Sequence, residues 1–201
     1  MKKLEIGSGS NPRQPWSEWY HNDLHIGDFK NINDLINAFP HIEINCPAWE
    51  IALPDNSLDE VYMSGVWEHF FYKDIEKMID NIHRMLEPGG ILDVREIPDA
   101  ISYVEEYLNG IATGAIPMDP VEPKHIFVVK SEMKWLLRAL YGWQRYPGDE
   151  HKSYWNEEII NIYLKDKFEV LEITSSYINI DCQTLQIKSK ARHLHFKARK
   201  K

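Results

Sequence analysis

Cysteine is scarce in this chain. There are two in 201 residues, Cys46 and Cys182, far apart and outside any CxxC pair. That excludes a disulfide-stapled scaffold and a cysteine-rich zinc site, and it points to a reducing compartment. Long apolar runs are missing as well. No stretch approaches the roughly 18 apolar residues of a membrane span, and Met1-Lys2-Lys3 leads at once into Leu4-Glu5-Ile6-Gly7, without the apolar core of a signal peptide. The cytoplasm is the expected location. Basic charge is in deficit, with Lys+Arg 23 against Asp+Glu 31 and a formal net charge of −8, so no general nucleic-acid clamp is expected. Low-complexity blocks and internal repeats are absent too, which leaves an ordinary globular domain whose function resides in a site.

The order of the patterns points to an α/β protein. Strands are expected at Lys2 to Ile6, Tyr20 to Leu24, Ile42 to Asn45, Leu58 to Ser64 and Gly90 to Arg95, and again at Phe168 to Ser175 and Leu185 to Ile187. Between the fourth and fifth, Ile75, Met78, Ile79, Ile82, Met85 and Leu86 fall on one helical stripe. Asp74 is placed to cap that helix, and Glu87-Pro88-Gly89-Gly90 to end it. Residues 99 to 108 form another amphipathic segment, and Ser131 and Asn156 are candidate caps of two later helices. The expected division is one domain over residues 1–187, with a substrate-side insertion at 110–155, and a basic tail at 188–201. Seven of the 23 basic residues and no acid lie between Lys188 and Lys201, so the body holds 16 basic residues against 31 acidic ones. The tail either folds back on the acidic body or docks RNA, DNA or anionic lipid, and the first is favoured.

Leu4-Glu5-Ile6-Gly7-Ser8-Gly9-Ser10-Asn11 is a short strand entering a glycine turn, where open α/β sheets bind ligands. A dinucleotide fingerprint requires a third glycine where Pro12 stands, which disfavours nicotinamide and flavin cofactors. Fourteen residues beyond Gly9, Asp23 ends the second strand, where its carboxylate can accept from both hydroxyls of a ribose; the plainer alternative is an Asp that opens a turn. Glu5 adds an acceptor suited to a cation. A ligand with a ribose and a positive charge fits these groups better than a pyrophosphate.

Two further strings carry a family resemblance. Leu53-Pro54-Asp55-Asn56-Ser57-Leu58-Asp59-Glu60-Val61-Tyr62-Met63-Ser64-Gly65-Val66-Trp67-Glu68-His69-Phe70 resembles the fourth-strand region of class I S-adenosylmethionine-dependent methyltransferases. Arg84-Met85-Leu86-Glu87-Pro88-Gly89-Gly90-Ile91-Leu92 is similar to the family's lead into its fifth strand. With the glycine turn and Asp23 the resemblance covers roughly residues 2 to 98. It implies a Rossmann-like fold, mostly parallel with an antiparallel C-terminal strand, and S-adenosylmethionine as cofactor. Only about a dozen residues separate Ile6 from Tyr20, so a shortened first helix region is expected. By the resemblance, Glu5, Gly7, Ser8, Gly9 and Asn11 surround the methionine part, Asp23 binds the ribose and Leu24 packs on adenine. Asn45 stands where the family usually carries an acid for the adenine amino group, and Ser64 and Gly65 line the methyl-donor sulfur.

Methyl transfer from a sulfonium is an in-line displacement that depends mostly on placement, with a base needed when the acceptor is a hydroxyl. His69, His151 and Glu68 are the candidates for that base, against structural or solvated roles for the two histidines. His21 and His25 beside Asp23, and His193 and His195 near the end, lack four convergent ligands, so no metal is expected. Trp16, Trp19, Trp49 and Trp67 can stack on a ligand or belong to the core. The favoured acceptor is a small molecule or a saccharide. RNA or protein recruited by the tail, and a cofactor-binding subunit without chemistry, are the alternatives.

Overall fold

The computed structural model describes residues 2–9, 12–23, 40–113, 140–142, 150–177 and 191–201. Among the described residues six strands form one sheet: β1 (Lys2–Ile6), β2 (Trp19–Asn22), β3 (Leu58–Ser64), β4 (Leu86–Pro98), β5 (Phe168–Tyr177) and β6 (Arg192–Lys200). Their order is β2-β1-β3-β4-β6-β5. The first four run parallel, and β6 lies antiparallel between β4 and β5. The chain leaves β1 toward one edge and returns to β3 on the other side, so a ligand-binding crevice opens where β1 and β3 end.

Three helices are described: α1 (Tyr72–Met85), α2 (Ala100–Thr113) and α3 (Glu157–Leu164). In the apolar stripe expected for α1, Ile75, Met78, Ile79, Ile82 and Met85 are in the core as read, while Leu86 leaves the helix and opens β4. Its start is earlier than expected. Phe71 is the N-cap residue, and Asp74 sits in the first turn, where it meets Lys77 Nζ at 3.2 Å. A carboxylate there still suits the positive end of the helix dipole. Asn156 caps α3 as expected, its Oδ1 accepting from Ile159 N–H at 2.8 Å. The link from β1 to β2 contains, among the described residues, only a 3-10 turn at Trp16–Glu18, in keeping with the shortened first helix region.

Two expectations are corrected. Ile42 to Asn45 forms no strand; Ile44 makes a single parallel bridge to Asn22. The Asn22 side chain takes over the edge of the ladder, donating to Ile44 O at 3.1 Å and Cys46 O at 2.9 Å, and Pro47 has no N–H with which to extend it. The basic C-terminal segment is no tail from Arg192 onward, because residues Arg192–Lys200 are β6. Leu194, Phe196 and Ala198 alternate into the core, while Lys197 faces Asp93 (3.7 Å) and Glu172 (3.9 Å) and Arg192 meets Asp99 (3.0 Å). Arg199 meets Glu169, and Lys200 instead donates to Asn56 Oδ1 and Leu86 O. The expected strand at 185–187, the helix after Ser131, most of the 110–155 insertion, His25, Cys182, Lys188 and Lys190 lie outside the described residues.

Trp67 and Trp155 are both fully buried and meet edge to face at 5.6 Å, with Phe196 of β6 5.5 Å from Trp67. Trp19 is also core. Trp16 is about half exposed and lies 5.8 Å from the His41 ring.

Candidate active site

The turn after β1 is shaped by its glycines. Gly7 has φ +73°, and a Cβ on it would lie 2.8 Å from a methyl of Val66, so the backbones leaving β1 and β3 approach to where no side chain fits. Gly7 and Ser8 donate their N–H groups to Asn22 O at 2.9 and 3.1 Å, fastening the turn to β2. Gly9 has φ +53°, and among the described residues no atom lies within 4 Å of where its Cβ would project. The turn thus forms a cradle closed on the Val66 side and, among the described residues, open above Gly9.

Its polar groups are held from below. Asp23 is buried, and its Oδ2 accepts from Gly9 N–H at 2.6 Å, so the acid also orders the turn. Asn45 donates to Asp23 O at 2.7 Å, which brings the two expected ligand-binding positions together. Glu5 is buried and accepts from Arg13 N–H and His21 Nδ1, each at 2.9 Å. His21 therefore serves Glu5, and its ring packs at right angles on His41, 5.4 Å away; His41 in turn donates to Gly9 O at 3.0 Å. The Ser8 hydroxyl is buried without a hydrogen-bond partner among the described residues. A cradle with an orphaned hydroxyl and two buried carboxylates fits a ligand rich in hydroxyl and ammonium donors, as an aminoacyl-bearing nucleoside is. Asn11 and Leu24 lie outside the described residues.

Across the crevice, β3 ends at Ser64, and Gly65 follows with φ +59° and its N–H on Arg95 O at 3.0 Å. A bulge between Val94 and Ile97 interrupts β4 beside it. There Glu96 adopts φ +60°, a strained conformation for a residue with a side chain, and its Oε2 reaches to 3.9 Å from where a Gly65 Cβ would lie. Nothing in the local sequence marks Glu96 as a site residue, because the bulge depends on pairing with β6.

Trp67–His69 then forms a 3-10 turn that aims two side chains at a segment distant in sequence. Lys152 and Ser153 donate their N–H groups to Glu68 O at 2.8 and 3.2 Å, locking residues 150–155 alongside. His69 and His151 consequently meet with ring centroids 5.2 Å apart. His69 Nδ1 lies 3.1 Å from Glu150 O, and His151 Nδ1 lies 3.1 Å from Leu140 O. A carbonyl only accepts, so each Nδ1 carries the proton, and Nε2 holds the lone pair of the neutral ring. Both Nε2 atoms face Glu68 Oε1, at 3.8 and 4.0 Å. Burial pushes the Glu68 carboxyl up to about 8, and the Glu96 carboxylate adds to the rise.

Residues 4–94 match the sequence model of a family described as the methyltransferase domain. Solved structures with the same fold agree. An S-adenosylmethionine-dependent methyltransferase from Methanosarcina mazei is 17% identical with a TM-score of 0.54, covering 99% of this chain and 92% of its own. Over residues 4–94 the chain is similar to the methyltransferase domain family, and its fold is that of S-adenosylmethionine-dependent methyltransferases. Two other similar structures contain S-adenosylhomocysteine. One is the Burkholderia thailandensis 1,6-didemethyltoxoflavin-N1-methyltransferase, 14% identical, TM-score 0.54, covering 98% of this chain and 70% of that one. The other is the N-methyltransferase NodS of Bradyrhizobium japonicum, 13% identical, TM-score 0.53, covering 99% and 77%. In this chain the glycine turn and the end of β3 face each other through the Gly7–Val66 contact. No described helix is long and apolar enough to cross a membrane.

Proposed function

We propose that this enzyme, acting as a single domain in the cytoplasm, methylates a small-molecule or saccharide acceptor held against His69 and His151. The observation that carries the reading is the histidine pair: two imidazoles from distant segments, each oriented by a backbone carbonyl through Nδ1, stand four residues beyond Gly65 in one case and are docked on Glu68 in the other. Glu5, Gly7, Ser8, Gly9, Asn11, Asp23, Leu24 and Asn45 hold the cofactor, with Ser64 and Gly65 beside its sulfur. S-adenosylmethionine supplies a methyl group activated by a sulfonium. The chain's own residues position the acceptor, and His69 or His151 receives its proton at Nε2 when the acceptor is a hydroxyl.

Small acceptors are supported by the similar toxoflavin-precursor enzyme, whose structure holds such a molecule. Recruitment of RNA by a basic tail loses support, since Arg192, Lys197 and Arg199 are engaged with Asp99, Asp93, Glu172 and Glu169. The test is incorporation of label from S-adenosylmethionine into separated small-molecule, polysaccharide, RNA and protein fractions of a cell extract. Label entering the first or second is expected; label confined to RNA or protein overturns the reading. With the acceptor in hand, His69→Ala and His151→Ala should each lower turnover by about 10²–10⁴-fold with S-adenosylhomocysteine affinity little changed. Wild-type turnover in both variants would remove the histidines from proton transfer.

A further inference from the structure

Glu68, His69 and His151 each offer one ligand atom, and the three atoms lie within 4.8 Å of one another, the one such group of His, Cys, Asp and Glu among the described residues. We propose that these three side chains bind a divalent transition-metal ion of the zinc or cobalt type. The inference rests on the reading above for what the ion does there, and adds a ligand to the same site.

Three features of the cluster point to a metal. First, the donor atoms are the right ones. With both Nδ1 protons committed to the carbonyls of Glu150 and Leu140, each ring turns its Nε2 lone pair toward the same carboxylate oxygen. Metal-binding histidines are oriented in this way, the second nitrogen donating to a carbonyl or carboxylate. Second, Glu68 is buried, and its Oε2 has no hydrogen-bond partner among the described residues, which leaves a polar atom in the cluster that a cation would satisfy. Third, the spacing is close. Nε2 to Oε1 separations of 3.8 and 4.0 Å are too long for hydrogen bonds. They exceed by about half an ångström the roughly 3.4 Å between ligands around a tetrahedral zinc with bonds near 2.0–2.1 Å. Small side-chain rotations close that difference.

Two imidazoles with one carboxylate favour zinc-like transition ions over magnesium or calcium, which prefer all-oxygen sites. Three protein ligands leave a coordination position open, as catalytic zinc sites do. An acceptor hydroxyl held there becomes more acidic and passes its proton to solvent, so that the ion takes over the task assigned to an imidazole base. The sequence carries no metal-ligand spacing here, because His69 and His151 are 82 positions apart.

The test uses the full chain after treatment with a chelator, titrated with Co²⁺ alone and followed by visible absorption, with Zn²⁺ calorimetry in parallel. One equivalent is expected to bind with a d–d band of a low-coordinate site. His69→Ala and His151→Ala should each weaken binding by roughly 100-fold or more, while Cys46→Ser leaves it unchanged. Circular dichroism checks that the variants fold, and His151→Gln, which keeps the side-chain bulk, provides a second variant with the same expected loss. No saturable binding, binding unaffected by both histidine changes, or binding lost in Cys46→Ser overturns the proposal. The assay contains no acceptor, so its failure is separate from failure of the methyl-acceptor reading: chelated enzyme that transfers methyl groups at full rate without binding cobalt removes only the metal.

Discussion

Replacing Gly7 by alanine tests the contact that brings the ends of β1 and β3 together. Two costs are expected. The φ of +73° lies in the left-handed region, where a side chain adds about 1–2 kcal/mol. The new Cβ would also stand 2.8 Å from Val66 Cγ2 and 2.9 Å from its Cβ, distances that real Cβ atoms essentially never show. Relieving such an overlap in a packed region costs about 1–3 kcal/mol. Together Gly7→Ala should lose roughly 2–5 kcal/mol, which for a chain of this length lowers Tm by about 10 °C at the middle of the range. A double-mutant cycle with Val66→Gly separates the parts. Removing the valine side chain eliminates all the close atoms, so the steric share of about 1–3 kcal/mol should appear as coupling, while the backbone share persists. Urea unfolding of the four proteins is the assay. A Gly7→Ala variant within about 0.5 kcal/mol of wild type refutes the conformational argument, and a full loss with no coupling to Val66→Gly refutes the steric one.

Asp23→Ala should weaken S-adenosylhomocysteine by about 2–4 kcal/mol in calorimetry with the fold retained, since a buried charge-assisted contact is lost; unchanged binding would remove Asp23 from the cofactor site. Phe196→Ala, which empties a fully buried position against Trp67, should cost about 3–5 kcal/mol by chemical denaturation, and a loss under 1 kcal/mol would mean that β6 is not the packed strand described here. Glu68 gives a pH signature in chelated protein. Its carboxyl is held at about 8 in the fold against an ordinary 4.5, so the unfolded chain ionises first and stability declines as pH rises from about 4.5 to about 8, then levels. Glu68→Gln should abolish that component, gaining on the order of 5 kcal/mol over wild type at pH 9 and nothing at pH 4; parallel stability–pH curves would contradict the burial.

Local pattern was enough to find the elements whose signal is contained in a few neighbouring residues. The stripe from Ile75 to Met85 is a helix because its period is helical, and Asn156 caps α3 because a side-chain oxygen can reach a backbone N–H three residues on. The Gly7-Ser8-Gly9 turn and Asp23 were legible for the same reason: the chemistry of approach and acceptance is written in residue type, and here Asp23 and Gly9 do meet. Charge composition misled at the C-terminus. Counting Lys and Arg from 188 to 201 points to a solvated tail folded back on the acidic body, whereas the alternation of Leu194, Phe196 and Ala198 is the signal of a strand, with Arg192, Lys197 and Arg199 beside acids of other elements.

Tertiary structure alone decided the rest. Whether Ile44 joined a strand depended on the Asn22 side chain occupying its ladder, and Glu96 was turned toward Gly65 by a bulge that exists only because β6 pairs with β4. The meeting of His69 with His151 required residues 150–155 to dock on the Glu68 carbonyl, and the same docking buried the Glu68 carboxyl between them. Short-range spacing carried the likeness to methyltransferases, the α/β fold and the glycine turn, each of which depends on neighbouring residues. The acceptor side is set by distant segments brought together, and its tautomers, its burial and its capacity for a cation follow from that contact.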